Sequence, residues 1–314
     1  MPILFLLSAT IPGQRAQDPY STQLLNIVKE DQADRAFMFQ GTGKPTKEQI
    51  ATMTRRDAER FRQTNEILAK ASKLTREGLD AAALLMQHGN DLESFVRAHE
   101  LSACASFLGK PSSLIAAAED RYLMNLKRKQ RFGAQFVGLG NAAKVYATDE
   151  EPPTAVTDRL RTIYFEPSLQ IAKKEGFAGA FKSSQGEILE TIQHRMDPKW
   201  ISAHSDAKTS RQLASMPATA RGQAVVLMLY NANRLVSDDD FSNAARVLGH
   251  SKKPQQLLLA HELAAVAFKE GDRKAAPLFA GTWDAFEKSI GHEPRYSRDT
   301  EPKCVRAVLE PLQK

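Results

Sequence analysis

Apolar residues along this chain recur at helical spacing almost throughout, with polar residues filling the opposite faces. Leu24, Leu25, Ile27, Val28, Phe37 and Met38 give Thr22–Gln40 one broad apolar face, and Asp31 and Arg35 stand i,i+4 on its surface. "GTGKPT" breaks that helix, and Thr46 with Gln49 forms a capping-box signature for the long stretch that follows. Thr75 caps the next helix, on which Leu79, Ala82, Ala83 and Met86 repeat, and Gly89-Asn90 ends it. Further helices are expected over Leu92–Leu108, closed by Gly109 and Pro111, and over Leu114–Lys129. Beyond "DEEPPT" the chain reads as two or three more helices, interrupted at Pro167, Gly176, Gly179 and Pro198. The fold class is therefore all-α.

The tetrapeptide AHEL occurs twice, at Ala98–Leu101 and at Ala260–Leu263. Aligning the two copies without a gap pairs Leu74–Gly109 with Val236–Gly271. Ten positions are then identical: Ala82/Ala244, Ala83/Ala245, His88/His250, the AHEL residues, Ala103/Ala265, Ala105/Ala267 and Gly109/Gly271. After a two-residue insertion the match resumes as Asp120/Asp284, Tyr122/Phe286, Arg131/Arg295 and Phe132/Tyr296. An ordered series of this kind predicts an internal duplication of helical hairpins, stacked as an α-solenoid-like or bundle-like array. Alanine lets helix axes approach closely, which explains why it is kept. The expected organisation is a leader over 1–18, a first helical domain over 19–148, a linker at 149–154, connecting helices over 155–200 and a second repeat domain over 201–314.

Composition narrows the function classes. The 314 residues are 42% hydrophobic and 25% charged, which fits a folded soluble protein. The net charge is +6, and the densest basic cluster, Lys127–Arg131, has little aromatic interleaving, so no nucleic-acid partner is expected and the cluster reads as a solvated helix end. Pro2–Ala9 is a short apolar run followed by small and turn residues, as in a secretory signal. No basic residue precedes it, as if the true start lay upstream of Met1. The run is too short to span a bilayer, and no other stretch reaches the required length. A periplasmic or secreted protein without an integral membrane segment is expected, or a cytoplasmic one if the leader is not a signal. Two cysteines make no disulfide framework, and Cys104 lies on an apolar stripe as a small hydrophobe.

His88 and His250 stand near helix ends, where an imidazole complements the dipole. His99 and His261 fall inside helices, and their simplest role is a core imidazole bonded to Asp120 or Asp284. The sharper reading places His88, His99 and Asp120 in a metal or acid–base site. The spacing matches no tight ligand motif, so neither a metal nor any other cofactor is expected.

The ordered motifs Asp57/Arg60, Ala82-Ala83 with Gln87-His88-Gly89, Ala98-His99-Glu100-Leu101, Asp120-Arg121-Tyr122-Leu123 and Gln130-Arg131-Phe132-Gly133-Ala134-Gln135 resemble an uncharacterised bacterial all-helical family, a domain of unknown function. The family pattern reads D-x-x-R, Q-H-G, A-H-x-L-A, D-R-x-L and Q-x-F-G-T-Q. Ala134 departs from it where Thr is usual, and "TDRLRTIYFEPSL" matches its tail. The resemblance implies a helical fold and frequent export, and no reaction. The second copy has Gly249, Ala285 and Pro294 in place of Gln87, Arg121 and Gln130, so the fuller polar set belongs to the first. Two functions follow as expectations. One is a helical-repeat protein binding a protein or peptide partner. The other is a hydrolase using His88 or His99 as base, Asp120 as orienter and Arg121 as anion binder, with Gln87, Gln130 and Gln135 as binding candidates.

Overall fold

A computed structural model describes residues 18–36, 46–109, 112–137, 143–270 and 272–296, with residues 305 and 308. The expected leader and Cys304 lie outside the described residues. Thirteen helices are seen among them, with a single two-stranded hairpin, so the protein is all-α. In chain order they are α1 (Pro19–Arg35), α2 (Lys47–Lys70), α3 (Arg76–Gln87), α4 (Leu92–Phe107), α5 (Leu114–Asn125), α6 (Asp158–Ile163) and α7 (Leu169–Met196). There follow α8 (Pro198–His204), α9 (Ala207–Ala214), α10 (Ala220–Asn231), α11 (Asp238–Leu248), α12 (Pro254–Lys269) and α13 (Ala275–Ser289). No described helix is long and apolar enough to cross a membrane.

Local chemistry sets most helix starts. Thr46 and Gln49 form the expected capping box, and Thr75 accepts from the Gly78 N–H at 3.1 Å. Asp91 with Ser94, and Ser237 with Asp240, make two more boxes. Asp31 and Arg35 pair at 2.6 Å as their spacing predicts. The α5 helix stops at Asn125, short of the expected Lys129, because Lys127 turns left-handed at φ 61°. Gly78 has a steric duty: a Cβ there would sit 2.1 Å from the Ser21 hydroxyl, so glycine lets α1 lie against α3. Gly176, at φ 70°, bends α7, in keeping with the break expected there.

Two trios, α3–α4–α5 and α11–α12–α13, form the centre of the molecule. Their middle helices α4 and α12 pack against each other. Ala98, Ala103 and Ala105 on α4 and Ala260, Ala264, Ala265 and Ala267 on α12 are fully buried. Small side chains here let two axes and their flanking helices share one large core cluster, with a second, smaller one around Phe95, Tyr122, Leu257 and Trp283. Cys104 is buried within it, as its stripe predicts. A medium-sized insertion such as Ala264→Val would overpack this seam at a cost of about 1–3 kcal/mol.

The segment at 149–154 is tied down along its length. Thr154 O accepts from Arg131 at 2.5 Å, Pro153 O from Asn231 at 2.8 Å, and Ala155 O from Tyr230 Oη at 3.0 Å. It runs as a strap between the trios. The hairpin Phe136–Val137/Lys144–Val145 is antiparallel, with Phe136 opposite Val145. Its first strand follows the motif that begins at Gln130, and the helical periodicity gave no sign of it.

Candidate functional site

The residues singled out in the sequence separate into three polar centres. The first lies where α1, α2 and α3 meet. His88 is the C-cap of α3, the place expected for it, and its Nδ1 stands 3.2 Å from the Asp31 carboxylate. Asp31 is 1% exposed. Arg35 bonds Asp31 at 2.6 Å and grips Asp57 with two bonds of 3.0 and 2.8 Å, while Arg60 bonds Asp57 at 3.0 Å and also reaches Asp34. Burial pushes the Asp31 carboxyl up, and the His88 hydrogen bond with the neighbouring His88 and Arg35 charges outweighs it, so the group ends below the usual range. For His88 burial is the stronger influence and holds the imidazole below its ordinary value despite Asp31.

Arg121 adjoins this centre. It donates to the Gln87 carbonyl and, through Nε at 2.9 Å, to Gln135 Oε1. Gln87 and Gln135 both donate to the Ala117 carbonyl, at 2.9 and 3.0 Å. Gln130 receives the Gln135 N–H at 2.9 Å and donates to Tyr146 O at 2.7 Å. Arg121, Gln87, Gln130 and Gln135 thus hold the end of α3, the middle of α5 and the hairpin together. Burial, then the Arg35 charge, lowers Arg121 to about 10.

Asp120 faces another way. Its Oδ1 receives the N–H groups of Arg131 and Phe132 at 2.6 and 2.9 Å, and its Oδ2 that of Ala134 at 2.8 Å. Three backbone donors define a loop anchor. Asp284 repeats it, receiving the N–H groups of Arg295 and Tyr296 at 2.7 and 2.9 Å. The expectation that Asp120 or Asp284 bonds the helix-interior histidines is therefore corrected, as is any pairing of Asp120 with His88, whose carboxylate is Asp31.

The third centre is the α4–α12 seam, where the histidine pair and the two arginine–glutamate forks are matched across the two trios. His99 Nε2 lies 2.8 Å from His261 Nε2. Arg131, following α5, forks onto Glu262 of α12 at 2.6 and 2.9 Å. Arg295, following α13, forks onto Glu100 of α4 and also binds Glu93 at 2.6 Å. The expectation of a solvated basic run fails at its last residue, because Arg131 is 2% exposed and sits inside this ion pair. Lys127, Arg128 and Lys129 are exposed, as expected.

One position breaks the correspondence. Glu119 of α5 stands where α13 has Trp283. Glu119 is fully buried beside Glu262, and burial first, then the Glu262 and Asp120 charges, push its carboxyl well above the usual range. Burial brings His99 down to about 4, and His261 also falls well below its ordinary value. Trp283 stacks on His99 at 5.3 Å between centroids. Sequence reasoning passed over Glu119, Glu262 and Glu100 as site residues. The twofold AHEL was the available signal for Glu100 and Glu262, since a charged residue repeated inside an apolar helix needs a buried partner.

Beside the seam lies a cleft of about 310 Å³ floored by Leu92, Val96, Tyr122 and Trp283. Glu93, Glu287 and Glu293 line it with His292 and Arg295. Tyr122 Oη donates to Glu287 and lies 3.2 Å from His292 Nδ1. No family model, curated protein or solved structure matches the chain.

Proposed function

We propose that this chain is a helical-repeat protein that binds a protein or peptide partner, taking a basic side chain of that partner into the cleft beside Trp283. The observation that carries the reading is the lining of that cleft. Apolar walls from Leu92, Val96 and Trp283 suit an aliphatic stem, and three carboxylates against one guanidinium suit a cationic head. Arg295, the guanidinium, is bound to Glu93 and Glu100. A volume near 310 Å³ has room for a long side chain.

The two trios are read here as an internal duplication, and the chain as a relative of the uncharacterised family whose motifs it resembles. Export is part of the same reading, and the N-terminus of the protein isolated from its host tests it. Titration of Trp283 fluorescence with Lys-bearing peptides tests the cleft. Peptides with norleucine in place of lysine should bind at least about tenfold more weakly, and Glu287→Gln should erase the difference. Equal binding of both peptide sets would refute the assignment.

A second reading, a hydrolase, is favoured by one observation: His88 keeps 17% of its side chain exposed and has a carboxylate partner in Asp31. It would use Asp31 where Asp120 was expected. Turnover of ester, amide or phosphate substrates that vanishes in His88→Ala with the fold intact would favour it.

A further inference from the structure

The two imidazoles at the seam are mismatched as a hydrogen-bonded pair. His99 Nδ1 lies 3.2 Å from the carbonyl oxygen of Ile115, and His261 Nδ1 lies 3.0 Å from that of Phe279. A carbonyl only accepts, so each Nδ1 carries the hydrogen. In a neutral imidazole the other nitrogen is then a bare lone pair. Both Nε2 atoms face each other at 2.8 Å, which sets lone pair against lone pair with no hydrogen between them. With both hydrogens kept on Nδ1 by the two carbonyls, a cation between or beside the Nε2 atoms removes the repulsion.

Glu119 supplies a third donor. One ligand atom from each of His99, Glu119 and His261 falls within 4.8 Å of the others, and all three residues are buried. Neither carboxylate oxygen of Glu119 receives a hydrogen bond. A buried carboxyl that receives no N–H or O–H donor and meets only the Glu262 carboxyl, directed to the same small space as two Nε2 nitrogens, points to a positive ligand. Histidines that bind metals commonly fix their tautomer by donating the far N–H to a backbone carbonyl, and both of these do so.

We propose that His99 Nε2, His261 Nε2 and the Glu119 carboxylate form a buried binding site for one divalent first-row transition ion. Two imidazoles and one carboxylate suit Zn²⁺, Co²⁺ or Fe²⁺, whereas Ca²⁺ and Mg²⁺ need more oxygen ligands than the trio offers. On a tetrahedral ion with bonds of about 2.05 Å, two nitrogen ligands stand about 3.3 Å apart. The imidazoles therefore separate by about half an ångström on binding, within the range of small χ adjustments. Trp283 occupies the position equivalent to Glu119, so one carboxylate serves the ion and an indole closes the other side. The competing occupant is a proton shared between the rings.

The test uses the full chain expressed in medium supplemented with Co²⁺, and the same chain in Zn²⁺ medium, each purified without chelators. The proposal expects about one equivalent of metal per chain and, for Co²⁺, visible d–d bands of a low-coordinate nitrogen and oxygen site. His261→Gln should abolish the bands. Glu119→Gln, which keeps size and shape, should weaken retention by more than the roughly 10–100-fold that outer-shell changes produce. His250→Ala, on an exposed helix end, should match the parent. Should His261→Gln fail to fold, Glu119→Gln decides alone, with far-UV circular dichroism as the check on its fold. Substoichiometric metal in both media would overturn the proposal. So would metal retained equally by Glu119→Gln, or ¹⁵N shifts showing one ring protonated on both nitrogens in the purified chain.

Discussion

Removing Arg131 should destabilise this protein more than removing its counterpart Arg295. Arg131 is 2% exposed and holds Glu262, which is fully buried, through two bonds of 2.6 and 2.9 Å. At an effective dielectric of 20, two unit charges about 4 Å apart attract by ~4 kcal/mol, and much of that offsets the desolvation of both groups. Arg131→Met leaves Glu262 without its cation, with the Glu119 carboxyl beside it, and strips the Thr154 carbonyl of a donor. Stranding a buried charge costs about 3–5 kcal/mol, and the second carboxyl places this variant at the upper end. Arg295→Met takes one cation from Glu100, which among the described residues sits beside no second buried carboxyl of the Glu119 kind, while Glu93 is half-exposed and keeps Arg97, so the lower end is expected. The double variant Arg131→Met/Glu262→Leu removes both charges and should recover most of the loss. Urea unfolding at pH 7 measures all four chains, with the denaturant slope confirming a common two-state transition. A loss below about 1 kcal/mol for Arg131→Met, or a double variant as unstable as the single one, would show that the ion pair does not hold the seam.

Further outcomes follow from the same contacts. Glu166 is buried and its carboxyl is pushed up to about 8, by burial first and by Asp120, against the pull of Arg161. A raised folded value means this contribution to stability is intact below the unfolded value of 4.5 and is lost as pH rises through about 8. Glu166→Gln should therefore gain stability relative to the parent from pH 5 to 8, by on the order of 5 kcal/mol at most, and a flat difference in melting temperature would contradict this. Asp120→Asn leaves fewer acceptor sites for three backbone N–H groups and should cost about 2–3 kcal/mol by urea unfolding. Gly133→Ala should cost more than Gly291→Ala, although both residues have positive φ. A Cβ on Gly133 meets Arg161 Nη1 at 2.9 Å, whereas nothing lies within 4 Å of one on Gly291. Comparison of their melting temperatures settles the order.

Much of the fold was legible because its determinants are local. Thr46 with Gln49, Thr75, and the alanines of α4 and α12 announce helix starts and a close-packed stripe without reference to distant residues. The site was less legible because its determinants are long-range. His99 meets His261 across 162 positions and Arg131 meets Glu262 across 131. No periodicity within one helix reveals such partners. The repeated AHEL located two of the four ionic residues but not what they touch. Glu119 escaped because its counterpart is Trp283, so it left no trace in the comparison of the copies. The run Lys127–Arg131 misled at its end, where a left-handed turn carries Arg131 out of the exposed row and into the interior.

The reciprocal forks have an outcome for the isolated parts of this chain. Each trio keeps its own glutamate on the middle helix and lends its arginine to the opposite trio. Cut at the strap, either fragment would expose a carboxylate and a guanidinium that fit a second copy of the same fragment, Arg131 of one molecule meeting Glu100 of another. The fragment from the first trio should thus assemble as a symmetric dimer, with four ionic residues placed as in the intact chain and two carboxylates, in place of one, facing its paired imidazoles.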